Sequence, residues 1–291
     1  MVSLGKAELI FINGKFHTVD RENPVAEAVA IRDGKFLAVG TQADVMEYHS
    51  DGSKVVDLNG STAIPGLNDS HLHLIRGGLN YNLELRWEGV PSLADALRML
   101  KEQALRTPSP QWVRVVGGWS EFQFAERRMP TLDEINEAAP DTPVFILHLY
   151  DRALLNRAAL RVVGYTKDTP NPPGGEIQRD SNGNPTGMLI ARPNAMILYA
   201  TLAKGPKLPL EQQVNSTRQF MRELNRLGLT SAIDAGGGFQ NYPEDYEVIS
   251  ELHAKEQMTI RIAYNLFTQR PGHELEDFEK WTDMLTCLLY T

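Results

Sequence analysis

Short apolar runs beside turn dipeptides mark the first 66 residues of this 291-residue chain. Asn13-Gly14, Asp33-Gly34 and Asn59-Gly60 each adjoin such a run. These dipeptides favour the positive φ angles of type I′ turns, which join neighbouring strands into hairpins. The pattern therefore predicts a small antiparallel β domain over residues 1–65.

After Pro65-Gly66 the pattern changes to short apolar stretches that alternate with helical segments. Five stretches predict strands, and they lie near residues 62–70, 113–117, 143–149, 229–234 and 259–266. Helices are predicted between them, among them 92–106, 151–163 and 209–227. Strands that alternate with helices imply βα units and a parallel sheet. A closed (β/α)₈ barrel needs eight such strands. We therefore expect an α/β fold in which residues 66–291 form the first part of a barrel.

Residues 165–195 interrupt the alternation of strands and helices. The stretch Thr169–Gly175 is too rich in proline and glycine for regular structure, and residues 176–190 carry the pattern of a hairpin. We interpret this segment as an insertion in the barrel domain.

Composition and charge narrow the class of protein. The hydrophobic fraction of 42% and the charged fraction of 23% are ordinary for a globular chain. The formal charge of −8 argues against nucleic acid as a partner. Cys287 is the single cysteine, so an internal disulfide is excluded. With no signal-type segment and no apolar run long enough for a membrane span, we expect a cytoplasmic protein without a membrane partner.

The candidate chemistry centres on the sequence Asp69-Ser70-His71-Leu72-His73. Residues two apart on a strand point to the same face, so both imidazoles would be presented together at the end of the first barrel strand. That end of a barrel carries the catalytic groups. Two neutral imidazoles suit Zn²⁺ and similar divalent metals. Asp69, two residues earlier, would orient an imidazole through a hydrogen bond.

Three other residues have both a functional and a structural interpretation. Asp234 ends a predicted strand, so it points towards the presumed site or caps a turn before three glycines. Trp119 follows a strand and would line a pocket or pack in the core. His148 lies inside an apolar strand, which favours a buried histidine with satisfied hydrogen bonds over a ligand.

Several motifs together resemble the amidohydrolase superfamily, in the branch called amidohydrolase 3 or YtcJ-like. Ile64–His73 is similar to its first metal-binding strand, and Leu9–Lys15 resembles the opening of its flanking β-sandwich. The branch is also matched by Val116–Trp119, Gly174–Asp180 and Gly183–Leu189. The resemblance implies that residues 1–65 are a β-sandwich portion and that residues 66–291 are part of a metal-dependent hydrolase barrel.

The resemblance also implies an activity. Members hydrolyse non-peptide carbon–nitrogen bonds, such as those of N-substituted formamides, with one or two divalent ions, which we expect to be zinc. The substrate would be a small molecule. Formation of a homo-oligomer is a further possibility that the resemblance leaves open. The family also uses a carboxylated lysine, two later histidines and a final aspartate, and no positions here match them. Only His71 and His73 carry over as metal ligands. Leu149-Tyr150-Asp151 stands where many members have Asp-Gly-His.

A second class of function stays open. The sequence predicts five of the eight strands that a closed barrel needs. Its last residues, Thr286–Thr291, continue an apolar pattern and include no residue that would cap the end of a helix. A truncated product, or a non-catalytic binding module derived from an amidohydrolase, is therefore the alternative to an active hydrolase.

Overall fold

The computed structural model describes residues 5–236, 240–268 and 270–284. The chain divides into two compact units, with the boundary between Asn68 and Asp69. The apolar ending after residue 284 and the glycines 237 and 238 lie outside the described residues.

The first unit consists of short strands and one helix. In chain order these are β1 (Leu9–Ile12), β2 (Lys15–His17), β3 (Val25–Ala26), β4 (Ala28–Arg32), β5 (Lys35–Gly40), α1 (Gln42–Met46), β6 (Lys54–Asp57) and β7 (Thr62–Ala63). The strands form a four-stranded sheet of order β5-β4-β1-β6 and a three-stranded sheet of order β3-β2-β7. Helix α1 buries Val45 against the first sheet, beside Ile10, Ala28 and Ala30.

One of the three predicted hairpins is confirmed. Asp33 and Gly34 have φ angles of 49° and 69°, and they join the antiparallel pair β4 and β5. Asn13 and Asn59 also have positive φ, but the strands on either side of each turn belong to different sheets. The hairpin predictions at those two turns are therefore wrong.

The two turns instead run side by side between the sheets. β1 pairs with β6 and β2 pairs with β7, both in parallel. The amide of Gly60 donates to the carbonyl of Asn13 at 2.7 Å, and the side chain of Asn13 donates to Asp57 at 3.0 Å. The predicted antiparallel domain is therefore mixed, because a dipeptide sets the local φ angles and not the partner of the strand that follows.

The second unit contains eight strands and eight helices in its described part, and its first strand begins two residues before the boundary. In order they are β8 (Leu67–Leu72), α2 (Leu74–Asn80), α3 (Leu93–Arg106), β9 (Val113–Val115), α4 (Leu132–Ala138), β10 (Val144–His148), β11 (Arg152–Leu155), α5 (Arg157–Val163), β12 (Gly175–Arg179), β13 (Pro185–Ala191), α6 (Met196–Leu202), α7 (Leu210–Arg226), β14 (Leu229–Asp234), α8 (Glu247–Ala254), β15 (Arg261–Tyr264) and α9 (Glu274–Met284). Short 3₁₀ turns lie at Tyr81–Leu83, Glu121–Gln123 and Glu244–Tyr246.

Each of the five stretches predicted as barrel strands contains a strand. They lie in two sheets of the described part, with orders β12-β13-β11-β10-β9 and β15-β14-β8. The pairs β9·β10 and β14·β15 are parallel, as alternation with helices predicts. The second unit is thus a mixed α/β structure. Its assignment to an incomplete barrel, and that of the first unit to a sandwich, stay predictions.

The helix predicted over residues 151–163 is wrong in its first half. Leu149 and Tyr150 have φ angles of 46° and 63°, so the chain reverses and β11 pairs antiparallel with β10. The helix α5 begins only at Arg157, after its cap Asn156. The apolar run Ala153–Leu155 suits a buried strand as well as a helix, and periodicity alone does not separate the two in so short a run.

Other local predictions are confirmed. The side chain of Ser92 accepts from the amide of Asp95 at the start of α3. Residues 175–191 form the predicted hairpin of β12 and β13, which continues the sheet through β11. Among the described residues no helix has the length and apolar character of a membrane span.

Asn156 joins three elements through four hydrogen bonds of one buried side chain. Its oxygen accepts from the amides of Val144 and Ala159 at 3.0 and 2.9 Å. Its amide nitrogen donates to the carbonyls of Ala139 and Thr142 at 2.6 and 2.9 Å. The side chain is fully buried, so water cannot replace these partners.

We expect Asn156→Ala to lower the free energy of unfolding by about 2–4 kcal/mol, because it removes a helix cap and leaves buried backbone groups unpaired. Urea denaturation followed by tryptophan fluorescence measures this, since all four tryptophans lie after residue 68. Exposed Asn182→Ala is the matched control, with an expected change below about 0.5 kcal/mol. Equal losses in the two variants would contradict the assignment.

Candidate active site

The two histidines of the motif lie together at the carboxyl end of β8. His71 is in the strand, and His73 is the residue that immediately precedes α2. Their ring centroids are 5.5 Å apart at an interplanar angle of 82°. Both side chains line one cavity of about 610 Å³. The structure therefore brings the predicted pair to a common site.

The carboxylate of Asp234 fixes the backbone next to this pair. It is 2% exposed, and one oxygen accepts from the amide of Ile75 in the first turn of α2 at 3.1 Å. The other oxygen accepts from the amide of Gly236 at 3.1 Å and from the hydroxyl of Tyr246 at 3.5 Å. The side chain of His73 makes no cap bond of its own, so Asp234 caps α2 from the end of β14. The structural interpretation of Asp234 as a capping residue is confirmed.

His73 is half-buried, and its surroundings favour the neutral imidazole. Burial lowers the pKa of His73, and the charges of Arg76 and His71 lower it further. The charge of Asp234 and a hydrogen bond to the Gly236 backbone act in the opposite direction without reversing the shift. A neutral imidazole is the form that binds a metal.

Asp69 and Trp119 make contacts of other kinds. The carboxylate of Asp69 accepts from the backbone amide of His71 at 2.9 Å. Trp119 is buried, donates to the carbonyl of Leu147 at 3.0 Å and packs edge-on against Trp87 at 5.0 Å. It is not among the described residues that line the cavity. Any role of Asp69 or Trp119 towards a metal or substrate stays a prediction.

His148 is a buried histidine with partners on both nitrogens. Nε2 lies 2.6 Å from a carboxylate oxygen of Glu121, and Nδ1 lies 3.3 Å from that of Asp151. The residue is 3% exposed, so the interpretation as a satisfied core histidine is confirmed.

Sequence reasoning missed the charged side chains that line the cavity beside the histidines. These are Arg76, Glu84, Arg86, Glu88 and Arg114. The sequence does mark Arg114, because it lies within the apolar run Val113–Val116 and arginine is rarely buried without a partner. The others are brought in by α2 and by the segment after it, and no local pattern marks them.

Glu84 is a carboxyl group of the cavity with a raised pKa. Burial raises the pKa of Glu84 to about 7, against the lowering effect of Arg86 and Arg114. Arg86 pairs with Glu84 at 3.1 Å and with Glu88 at 3.5 Å, and stacks on the ring of Tyr81 at 4.0 Å. The cavity therefore holds a carboxyl group that changes its charge near neutral pH.

The described residues bring together two candidate nitrogen ligands for a metal and not a complete set. No group of three or more His, Cys, Asp or Glu side chains suited to one ion occurs among them. The histidine pair itself fits. A metal–nitrogen bond of about 2.1 Å puts an ion roughly 3.2 Å from each ring centre, and a tetrahedral angle then separates the ring centres by about 5 Å.

Comparison with known proteins points to one family. The model of the amidohydrolase family matches residues 54–287. The chain is 34% identical over 193 residues to the putative amidohydrolase YtcJ of Bacillus subtilis (strain 168), covering 66% of this chain and 36% of YtcJ. It is 31% identical over 230 residues to N-substituted formamide deformylase of Arthrobacter pascens, covering 78% and 42%. The chain thus spans about two fifths of the length of these relatives.

A solved structure agrees at the level of the fold. The crystal structure of an uncharacterized metal-dependent hydrolase from Pyrococcus furiosus matches with a TM-score of 0.60 at 19% identity. The match covers 94% of this chain and 52% of that chain. The mixed α/β architecture is therefore shared with that hydrolase.

We expect Glu84→Gln to change how stability depends on pH. Because the pKa of Glu84 is raised in the folded chain, the folded state binds more protons than the unfolded state between about pH 4.5 and 7. The wild type therefore loses stability as pH rises through this window, by up to about 3 kcal/mol from this group.

Urea denaturation at pH 5 and pH 8 measures the difference between wild type and Glu84→Gln. The difference should shift in favour of the variant at pH 8. The exposed neighbour Glu88, changed to Gln, is the matched control and should shift much less. A difference that is the same at both pH values would contradict the assignment.

Proposed function

The chain belongs to the amidohydrolase family, and from this premise we propose that it is part of a metal-dependent hydrolase of non-peptide carbon–nitrogen bonds, of the amide or formamide type. The observation that carries the proposal is the pair His71 and His73, 5.5 Å apart on a shared cavity at the end of β8. The relative from Arthrobacter pascens, a deformylase of N-substituted formamides, supports the bond type. In this proposal the first unit is a portion of a β-sandwich, and the second is the first part of a TIM-like barrel.

His71 and His73 would hold a divalent metal, which we propose to be zinc. When bound, such an ion supplies an activated water and polarises the carbonyl that is attacked. The chain's own residues prepare the site: Asp234 fixes the first turn of α2, and burial keeps the His73 imidazole neutral. Fixed ligands reduce the cost of assembling the site.

The surroundings of the site suit a small molecule. A cavity of about 610 Å³ lies in the range that such ligands occupy. The formal charge of −8 supports the proposal that nucleic acid is not a partner. We further propose a cytoplasmic protein that acts without a membrane partner, in agreement with its single cysteine.

One observation favours a second candidate, a non-catalytic binding module. In the part of the chain that the structure describes, no third His, Cys, Asp or Glu joins the histidine pair to complete a metal site. A module of this kind would use the same cavity to bind a small molecule without hydrolysing it.

Metal content separates the two candidates. After dialysis against zinc and removal of the free ion, we expect near-stoichiometric zinc by elemental mass spectrometry in the wild type. His71→Ala and His73→Ala should each weaken zinc binding by more than about tenfold, since each removes a ligand.

His17→Ala is the control, because His17 is exposed in the first unit. It should keep the wild-type zinc content. A folded wild type without zinc would favour the binding module, and equal zinc in all four proteins would contradict the assignment of the ligands.

A further inference from the structure

The cavity beside the histidines contains more positive charge than its own carboxylates neutralise. Arg86 takes both acidic side chains of the lining, Glu84 and Glu88, as ion-pair partners. Arg76 and Arg114 line the same cavity, and no carboxylate of the described residues lies within 4.0 Å of their nitrogens. Two guanidinium groups therefore face the cavity without an ion pair.

Arg114 is the more unusual of the two. It is 4% exposed, and its terminal nitrogens donate to two neutral acceptors, Asn80 Oδ1 at 3.4 Å and the carbonyl of Pro206 at 2.9 Å. Its Nε is buried without a hydrogen-bond partner among the described residues. The hydrogen bonds of Arg114 thus go to neutral groups alone, and Glu84, which pairs with Arg86, acts on it only through its charge. A buried charge without a hydrogen-bonded counterion is costly, and an anion would offset that cost.

Arg76 places the second positive charge close to the histidines. It lies in the first turn of α2, three residues after His73, and its charge contributes to lowering the pKa of that imidazole. Its guanidinium lies over the ring of Tyr199 at 4.8 Å from the centroid, which holds the group in a fixed plane. Asp234 sets the start of the same helix, so Arg76 is positioned by the same contact as His73.

We propose that the substrate carries a carboxylate, which Arg76 and Arg114 bind while its amide or formamide bond faces His71 and His73. The orientation of the amide or formamide bond towards the histidines rests on the proposed function, whereas the carboxylate subsite itself needs no metal. A planar guanidinium donates two parallel hydrogen bonds to a carboxylate, and both arginines line the cavity.

Binding to the metal-free chain tests the subsite. The probes are N-formylphenylalanine and its carboxamide, which differ in the carboxylate alone, titrated by calorimetry in the presence of a chelator. We expect the carboxylate to bind at least about tenfold more tightly than the carboxamide, because charged hydrogen bonds to the arginines contribute binding free energy of this size. Equal affinity for the two probes would overturn the proposal.

Two variants assign the preference to the arginines. Arg76→Gln and Arg114→Lys should each reduce the preference for the carboxylate to about threefold or less. Arg222→Gln removes a charge from an exposed position of α7 and should leave the preference unchanged. If Arg114→Lys fails to fold, Arg76→Gln alone decides. Retention of the wild-type preference in Arg76→Gln would overturn the assignment.

Formate release from the zinc-loaded chain, measured on the same probes, separates this proposal from the proposed function. A carboxylate preference without formate release would support the subsite and contradict the proposed hydrolase function. Formate release at equal rates from both probes, with equal affinities for the two, would support the hydrolase function and contradict the subsite.

Discussion

The geometry of the candidate site depends on one buried carboxylate. Asp234, at the end of β14, accepts the amide of Ile75 across 159 positions of sequence and so holds the first turn of α2 against the sheet. His73 immediately precedes that turn, and Arg76 lies within it. The same carboxylate also accepts from the amide of Gly236 and from the hydroxyl of Tyr246. Its contribution to the site is therefore to fix the positions of other side chains.

The cavity is lined by polar and charged side chains whose burial usually costs free energy. The pair His71 and His73 stands at one side, and three arginines and two glutamates are among the other residues that line the cavity. Arg86 forms ion pairs with both glutamates, whereas the hydrogen bonds of Arg114 go to two neutral acceptors. Such an arrangement costs stability in the empty protein, and it is typical of sites that bind a charged ligand. This charge pattern supports the proposed subsite for a carboxylate.

The sequence predicts those features that depend on neighbouring residues. The caps at Ser92 and Asn156 illustrate the limit: the first is marked by the capping pair Ser92 and Asp95, whereas the second follows an unexpected strand. The same limit separates the turn at Asp33 from that at Asn13, whose φ angles are alike and whose strands have different partners. For the site, the histidine spacing is sufficient to predict that the two imidazoles lie together at the end of one strand. The position of Glu84 beside Arg114 depends on tertiary contacts that no local pattern records.

The central claim is that His71 and His73 together bind one divalent ion. The most direct test is a zinc titration of the chain followed through the ¹⁵N resonances of its imidazoles, of which the sequence provides seven. We expect the signals of His71 and His73 to change together and to reach their limit at one equivalent, while those of His148 keep their positions. Zinc-induced changes confined to other histidines, or none at saturating zinc, would contradict the claim.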